Sequence, residues 1–473
     1  MEPIDVRKAM LLWRRHWLRW FAPGAIPGPV RRVLETIAGS GGEAVVVGGC
    51  VRDLLMGLKP EDWDVATSLP PQRVREIFPR TIPTGIEHGT VTVVSGEMGI
   101  EVTTYRTEGE YSDSRRPDWV SFSTDLVEDL ARRDFTFNAM ALTSTGKLID
   151  PFLGLRDLAR GLVTTVGSPS DRFSEDALRM VRAVRFAAQL GMELETDVFE
   201  ACSEMADNLR AVSRERIRHE IDRILMSPNP ARGFQLLMET GLLQQFWPEL
   251  VEGVGLAQNR HHAFTVWEHS ILSLEGMSRI EGSDLALRLS ALLHDVAKPR
   301  TMEEGEEGDR HFHNHHVVGA AVARRMLSRL RYDKKTMARV EHLIRHHMSL
   351  HHYPDMKDSA IRRLINRVGL ENIDDLINLR VADRAGSGTK EEPLSRGTMY
   401  LLNRIARVLE EDAAFGLKDL AVDGNDVMRV AGVAPGPEVG KILEKLLDEV
   451  LEDPSLNDRC ILEKRIEEIA RRS

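Results

Sequence analysis

The feature that most constrains this chain is the stretch from Val45 to Thr67, which reads VVVGGCVRDLLMGLKPEDWDVAT. Its opening run of valines predicts a buried strand, because β-branched apolar residues favour strands. Gly48 and Gly49 follow directly, and two glycines let backbone N–H groups approach a phosphate closely. Arg52 lies one turn into the helix expected next, where its guanidinium can bind the same phosphate through two hydrogen bonds. The stretch therefore predicts a phosphate site at the end of a strand.

Carboxylates stand near the end of the same stretch. Asp62 and Asp64 flank Trp63 in a segment that we expect to be extended. Residues two apart on a strand point to the same face, so both carboxylates are expected on one side, where they can hold Mg²⁺ together with substrate phosphates. Glu101 lies in a second β-branched strand. It is either a third carboxylate near the metal or a surface strand residue, and the sequence leaves both interpretations open.

Together, the glycine turn, the basic helix start and the paired Asp resemble the head of the nucleotidyltransferase superfamily. The flanking sequence resembles the class II tRNA CCA-adding enzymes and the bacterial poly(A) polymerases, and RRDFTFNA matches the RRDFTxNA motif of that family. The resemblance implies that Arg133 contacts the nucleotide, that Asp134 helps to hold the ribose and that Asn138 braces the site. It also implies nucleotide or Mg²⁺ binding in the head by Gly48, Gly49, Arg52, Asp62, Asp64 and Glu101.

The polar segment Thr107–Phe122 lacks periodicity and predicts a mobile loop. In the family that the chain resembles, a flexible loop at this place is associated with the switch from adding C to adding A. Its presence favours an enzyme that can add A.

Residues Phe173–Phe186 predict one helix with Ser174 as its N-cap. Asp176 and Arg179 are three residues apart and are expected to project together. A carboxylate accepts from an exocyclic amine and a guanidinium donates to ring or carbonyl acceptors, so the pair can complement the Watson–Crick edge of C, or of A after a small shift. The match to the EDxxR motif of the same family assigns base reading to this pair.

By the same resemblance, Arg182 and Arg185 contact nucleotide. The segment Arg214–Leu225 matches the end of the family's neck, and we expect it to be mainly structural.

Histidine and aspartate recur in the second half of the chain, with His294-Asp295 adjacent on a strongly apolar predicted helix. Imidazoles and carboxylates suit Mn, Fe, Ni, Co or Zn. The pattern resembles the HD phosphohydrolase superfamily, which implies one metal bound by His269, His294, Asp295 and Asp383. His315 and His347 would bind a second metal or a substrate phosphate, although the neighbouring His316 and His346 are alternatives. The complete set favours an active phosphatase or 2′,3′-cyclic phosphodiesterase acting on tRNA ends or nucleotides.

Length and composition limit the class of protein. A chain of 473 residues with 42% hydrophobic and 29% charged residues predicts several globular domains. Three distant cysteines suit a reducing, cytoplasmic setting, and no apolar run approaches the ~20 residues of a membrane span. Because the net charge is −10, RNA binding requires a local basic face, and arginine is dense between Arg172 and Arg223.

We therefore expect an α+β chain, in which a small mixed-sheet head precedes an all-α neck, a helical HD-type body and a helical tail. The expected boundaries are a basic and aromatic extension at 1–28, the head at 29–165, the neck at 166–228, the body at 229–395 and a helical tail at 396–473. By analogy with the family, the tail contacts tRNA. The oligomeric state is not indicated by the sequence.

The leading hypothesis is a template-independent tRNA nucleotidyltransferase that completes or repairs the 3′ CCA end from CTP and ATP, with two Mg²⁺ ions at the paired Asp. The close alternative is a poly(A) polymerase or an enzyme that adds only A. An alternative of another class is an HD metal phosphohydrolase with an RNA-binding head, and a third is an RNA-binding regulator with two inactive sites.

Overall fold

The computed structural model describes residues 25–108, 120–258, 263–305, 309–350, 356–388, 394–411 and 416–471. Residues 1–24 of the expected extension and 109–119 of the expected loop lie outside the described residues. The chain divides into two compact units. The first comprises Met1–Val251 with Arg329–Arg331, and the second comprises Glu252–Ser328 with Tyr332–Ser473.

The first unit contains the sheet. Its strands are β1 Ala44–Val47, β2 Asp64–Thr67, β3 Thr81–Gly85, β4 Thr90–Ser95, β5 Met98–Thr104, β6 Arg106–Glu108, β7 Val120–Phe122, β8 Ala141–Leu142, β9 Leu148–Ile149, β10 Leu162–Val163 and β11 Glu193–Leu194. Seven of them form one sheet in the order β3-β4-β5-β2-β1-β8-β9. In it β2 and β5 are parallel and the other neighbours are antiparallel. The sheet is therefore mixed, as the sequence predicted.

Helices of the first unit follow the sheet in the chain or cover it. They are α1 Gly28–Gly39, α2 Gly49–Leu55, α3 Pro71–Ile77, α4 Leu126–Ala131, α5 Gly154–Arg160, α6 Pro169–Glu175, α7 Leu178–Leu190, α8 Thr196–Glu204, α9 Arg214–Leu225, α10 Pro230–Glu239 and α11 Pro248–Val251. The valines of β1 are buried, and β1 lies between β2 and β8 inside the sheet. This position explains their apolar, β-branched character.

Three expectations about local structure are wrong in detail. The predicted loop Thr107–Phe122 begins and ends in strands, because β6 and β7 pair. The neck is not purely helical, because β11 pairs with β10. The body, finally, contains the two-stranded sheet of β12 Met302–Glu304 and β13 Arg310–Phe312.

The expected single helix Phe173–Phe186 is also interrupted. Helix α6 ends at Glu175, and Asp176 is extended, with φ −149° and ψ 103°. The Asp176 carboxylate accepts the N–H of Leu178, the first residue of α7, at 3.1 Å, so it provides an acceptor for a backbone donor at the start of that helix. Ser174 lies inside α6 and is not the N-cap. Apolar spacing continues across the break, which is why periodicity alone did not reveal it.

The second unit is helical apart from its two-stranded sheet. Its helices are α12 Val266–Ser278, α13 Leu285–Leu293, α14 His315–Arg329, α15 Lys334–His346, α16 Asp358–Val368, α17 Ile373–Gly386, α18 Arg396–Glu411, α19 Gly424–Ala431, α20 Pro437–Glu452 and α21 Arg459–Ala470. One core includes Ile365 and Leu379 and also takes Leu401 and Ile405 of α18. A separate core, with Val427 and Leu446, lies among the last three helices. Among the described residues, no helix is both long and apolar enough to span a membrane.

Helices α12 and α17 are packed unusually close together at Gly386. A Cβ built there would clash with the Ser273 side chain and would lie 2.9 Å from the backbone oxygen of His269. A glycine is therefore required for the two helices to approach each other here.

Substituting Gly386→Ala is expected to lower the free energy of unfolding by about 1–3 kcal/mol, because the added methyl group overpacks the contact. The control is Gly440→Ala in α20, where a Cβ would meet no atom within 4 Å and a gain of about 0.5–1 kcal/mol is expected. Urea unfolding followed by circular dichroism measures both. Equal stability of the two variants would contradict this account of the packing.

Candidate active sites

The head site begins with carboxylates that strand pairing brings together. Asp64 is the first residue of β2 and stands opposite Glu101 on the parallel strand β5. Asp62 lies in the bend before β2, so the expected extended strand does not reach it. Burial, Glu101 and Asp62 raise the pKa of Asp64 to about 6, although Arg133 opposes this effect. Carboxylates that disfavour one another's charge in this way attract a cation, and oxygen ligands fit Mg²⁺.

Gly48 closes the other side of this cluster. Its φ of +79° lies in the left-handed region, and a Cβ there would be 3.0 Å from Arg133 Nη1 and 3.6 Å from Asp64 Oδ2. The glycine therefore lets a guanidinium and a carboxylate meet beside the end of β1. This arrangement places positive charge next to the predicted phosphate site.

A buried acid that the sequence analysis missed holds the arginines of the RRDFTFNA segment. Asp129, whose side chain is 1% exposed, binds Arg132 at 2.8 Å and Arg133 at 3.3 Å. Although burial opposes its ionisation, the two arginines outweigh burial and lower its pKa. The signal was present in the sequence, since Asp129 lies three and four residues before the arginines.

A hydrogen-bonded chain links α2 to the neck. Arg52 Nη1 donates to Asn138 Oδ1 at 2.8 Å, and Asn138 Nδ2 donates to Asp134 Oδ1 at 3.1 Å. Arg182 of α7 donates to Asp134 Oδ2 at 2.9 Å through Nε and 2.5 Å through Nη2. Burial opposes the charge of Asp134, but Arg182 and Asn138 prevail and lower its pKa to about 2. The four predicted residues therefore form one network.

Arg185 does not share an accessible face with Arg182. Its guanidinium is buried, lies 3.1 Å from Glu220 Oε2 and stacks 4.0 Å from the centre of the Phe186 ring. Burial lowers the pKa of Arg185 to about 10, against the opposing effect of Glu220. The i, i+3 arginine pattern predicted one stripe, whereas the helix buries its last member.

The predicted base-reading residues are held by separate partners. Asp176 Oδ2 is 2.6 Å from Arg216 Nη2 on α9. Arg179 pairs with Glu175 and also donates to the backbone oxygen of Arg172 at 3.3 Å. The segment Arg214–Leu225, expected to be mainly structural, thus supplies a direct partner to the neck site.

The second site gathers all six HD-type residues in a buried cluster. His269 lies on α12, His294-Asp295 follow α13, and Asp383 lies on α17. His315 begins α14, and His347 follows α15. Among the described residues these form two candidate metal-binding groups: one of His269, His294 and Asp383, the other of Asp295, His315 and His347.

Asp295 faces both groups with different oxygens. Its Oδ2 lies 3.3 Å from Nε2 of both His269 and His294. Its Oδ1 lies 3.4 Å from His315 Nε2 and 4.0 Å from His347 Nε2. Asp383 Oδ1 completes the first group at 3.2 Å from His269 Nε2. Asp295 therefore turns one oxygen toward each group and would be available to a cation in either.

Three of the imidazoles are oriented by the backbone. Nδ1 of His294, His315 and His347 lies 2.9, 2.8 and 2.7 Å from the backbone oxygen three residues earlier. These contacts favour the tautomer with the proton on Nδ1, which leaves Nε2 as the ligand atom for a metal. Burial and His294 also lower the pKa of His347 well below its usual range, which favours the neutral ligand form. The donor set fits a transition metal.

The alternative histidines lie outside the cluster. His316 stands beside His315, but it belongs to neither metal-binding group. His346 instead packs against His342, with ring centres 4.6 Å apart.

A buried residue that the sequence analysis missed is Lys298, whose Nζ lies 2.6 Å from Asp295 Oδ2. Its position three residues after Asp295 on the same turn was the available signal.

Three family models match the chain. The model "Poly A polymerase head domain" matches residues 44–164, "Probable RNA and SrmB-binding site of polymerase A" matches 191–253, and "HD domain" matches 261–385.

Known proteins agree with these matches over most of the chain. The CCA-adding enzyme of Limosilactobacillus reuteri (strain DSM 20016) is 34% identical over 449 residues, which are 94% of this chain and 98% of that protein. The CCA-adding enzyme of Geobacillus sp. (strain WCH70) is 50% identical over 210 residues, 44% of this chain and 52% of that protein. The crystal structure of Bacillus stearothermophilus CCA-adding enzyme in complex with CTP is 28% identical, with a TM-score of 0.65 over 94% of this chain and 99% of that one. With sequence and fold matched over nearly their whole length, the chain belongs to the family of CCA-adding enzymes.

Proposed function

We propose that this chain is a tRNA nucleotidyltransferase that adds or repairs the 3′-terminal CCA of tRNA from CTP and ATP without a nucleic-acid template. The observation that carries the proposal is the carboxylate cluster of Asp62, Asp64 and Glu101 beside Arg133 and the Gly48 turn. The names of the relatives support the same reaction. The partners are then the tRNA 3′ end, CTP and ATP, and the reaction would take place in the cytoplasm.

In this proposal, Asp62 and Asp64 hold Mg²⁺, with Glu101 as the neighbouring third carboxylate. When bound, the metal ions lower the barrier to nucleotidyl transfer by activating the attacking hydroxyl and offsetting the charge of the leaving pyrophosphate. Arg133, fixed by Asp129, and the backbone of Gly48 and Gly49 bind and orient the triphosphate.

The remaining head and neck residues hold the nucleoside. Asn138, Asp134 and Arg182 act as one hydrogen-bonded unit beside the ribose. Arg52, which donates to Asn138, keeps its predicted role at the phosphate, and Arg185 stacks on Phe186. Asp176 and Arg179 read the base, and two good contacts would reject a wrong base by ~1–3 kcal/mol each. The protein thereby takes the place of a template.

The domain assignment remains the one expected from the sequence: an extension at 1–28, a head at 29–165, a neck at 166–228, an HD body at 229–395 and a tail at 396–473. We assign tRNA contact to the tail. Helix α18 lies within that tail range, although its apolar face packs into the body core.

We further propose a metal-dependent phosphohydrolase activity at the HD cluster, acting on phosphate esters of tRNA ends or nucleotides. The support is the complete ligand set, with Asp295 placed between the two groups. A transition metal (Mn, Ni, Co, Fe or Zn) suits four imidazoles and two carboxylates.

Wild-type protein with Mg²⁺, CTP, ATP and tRNA lacking its last three nucleotides is expected to add C, C and A and then stop. Asp64→Asn is expected to lose ~10³-fold or more in rate, since metal catalysis supplies several kcal/mol at 1.4 kcal/mol per factor of ten. Gel electrophoresis at single-nucleotide resolution measures both. The control is Glu76→Gln, which alters an exposed carboxylate of α3 that pairs with Arg73.

Other products would support the alternatives. A long ladder of A on any RNA indicates a poly(A) polymerase, and addition of A only to tRNA ending in CC indicates a partial enzyme. Absence of addition together with phosphohydrolysis indicates an HD enzyme with an RNA-binding head. Full activity of Asp64→Asn would refute the role given to the carboxylate cluster.

Neighbouring histidines provide a matched test of the HD cluster. His315→Gln and His347→Gln are each expected to bind about one Mn²⁺ ion per chain fewer than the wild type, because each removes a ligand of the second group. His316→Gln and His346→Gln are expected to keep the wild-type metal content. Metal per chain is measured by inductively coupled plasma mass spectrometry after reconstitution with Mn²⁺. Equal metal content in all four variants would contradict the ligand assignment.

A further inference from the structure

Each carboxylate of the HD cluster has a cation of the protein on one of its oxygens. Asp295 Oδ2 lies 2.6 Å from Lys298 Nζ. Asp383 Oδ2 accepts a hydrogen bond from Arg380 Nη1 at 2.5 Å. In both pairs the partners are three residues apart in the chain, and all four residues are buried. The two acids are therefore matched by an ammonium and a guanidinium before any metal binds.

Both cations are held in place by their surroundings. Lys298 Nζ also donates to Gln258 Oε1 at 2.6 Å and lies 5.5 Å from the centre of the Phe312 ring. Arg380 follows Leu379 of the body core on α17, and 8% of its side chain is exposed. Charges that are buried are screened much less than charges at the surface. Lys298 and Arg380 therefore act on any ion that the two acids hold.

The same two acids supply the negative charge of the two candidate metal-binding groups. Each group combines one carboxylate, from Asp383 or from Asp295, with two imidazoles. Imidazoles that bind a metal are neutral. Two divalent ions together with Lys298 and Arg380 would therefore face the two carboxylates of these groups. The loaded cluster would carry an excess of positive charge, which repels metal ions and attracts anions.

We infer that Lys298 and Arg380 are counter-cations, which weaken metal binding by the HD cluster and make its full metal loading depend on a bound phosphate group. This inference rests on the metal-dependent phosphohydrolase proposed above. A phosphate group offsets the excess positive charge and thereby tightens metal binding. Because coupling between two ligands is reciprocal, bound metal tightens phosphate binding by the same factor.

A role limited to supporting the metal ligands predicts the opposite change in metal affinity. Removing an outer residue that only orients a ligand typically lowers metal affinity about 10–100-fold. Removing the charge of a counter-cation raises metal affinity, because its repulsion of the metal is lost. The direction of the change therefore separates the two roles.

The test measures Mn²⁺ binding by equilibrium dialysis, with inorganic phosphate or with chloride at the same ionic strength. Every protein in the series carries Asp64→Asn, so that Mn²⁺ at the head site is not counted. The parent protein is expected to bind Mn²⁺ about tenfold more tightly with phosphate, within the usual range of coupling between two ligands. Lys298→Gln and Arg380→Gln keep a hydrogen-bond donor but remove the charge. Each is expected to bind Mn²⁺ about tenfold more tightly than the parent in chloride, and to gain less from phosphate.

The matched control is Arg339→Gln, which removes a guanidinium 2.7 Å from Asp375 of the same helix α17. Asp375 belongs to neither metal-binding group, so the parent's Mn²⁺ affinity and phosphate effect are expected. Thermal melting checks that each variant folds. If Arg380→Gln does not fold, Arg380→Met replaces it, since it also removes the charge.

Weaker or unchanged Mn²⁺ binding in a folded variant of Lys298 or Arg380 would overturn the inference for that residue. A parent protein whose Mn²⁺ affinity is the same in phosphate and in chloride would overturn the inference as a whole. So would an equal gain in Arg339→Gln, which would indicate a general effect of net charge. Absence of Mn²⁺ binding by the parent, with and without phosphate, would instead refute the proposed metal site itself.

Discussion

The parallel pairing of β2 with β5 is the constraint on which the head site depends. It sets Asp64 opposite Glu101, and with Asp62 nearby it raises the pKa of Asp64 to about 6 through burial and like charge. Such a cluster is unfavourable by itself. The left-handed turn at Gly48 admits Arg133 beside Asp64, and Asp129 fixes that arginine. Cation binding would relieve the remaining repulsion between the carboxylates. The site would therefore bind metal and triphosphate more tightly because that repulsion is removed on binding.

The HD cluster also brings acidic groups together, but in a more deeply buried site. Four imidazoles and two carboxylates are buried, and isolated buried charges are costly unless they are paired or bind metal. The close approach of α12 and α17 at Gly386 places His269 next to Asp383, while backbone oxygens orient the other imidazoles. Each unit of the chain therefore contains its own group of acids that could hold cations, and the available donor atoms differ: oxygen in the head, nitrogen and oxygen in the second unit.

Motifs with fixed spacing could be predicted well from the sequence. The strand-turn-helix at Val45–Arg52 and the mixed sheet are of this kind. The six HD-type residues do lie close together, and their role as metal ligands stays a prediction. Partners from distant segments could not be predicted, because hydrophobic periodicity does not show which side chains bond to the end of a helix or connect two helices. The break at Asp176, its bond to Arg216 and the burial of Arg185 against Glu220 all depend on how α7 packs on α9. Asp129 and Lys298 could have been predicted from the sequence, since both lie three or four residues from their partners.

The most direct test of the account is a crystal structure with CTP and Mn²⁺, in which anomalous scattering locates each manganese ion. The account predicts manganese between Asp62 and Asp64, with the triphosphate at Gly48 and Arg133 and the cytosine edge at Asp176 and Arg179. Further manganese is expected in the HD cluster. Manganese in the HD cluster alone, or CTP bound away from the Gly48 turn, would contradict the assignment of nucleotidyl transfer to the head.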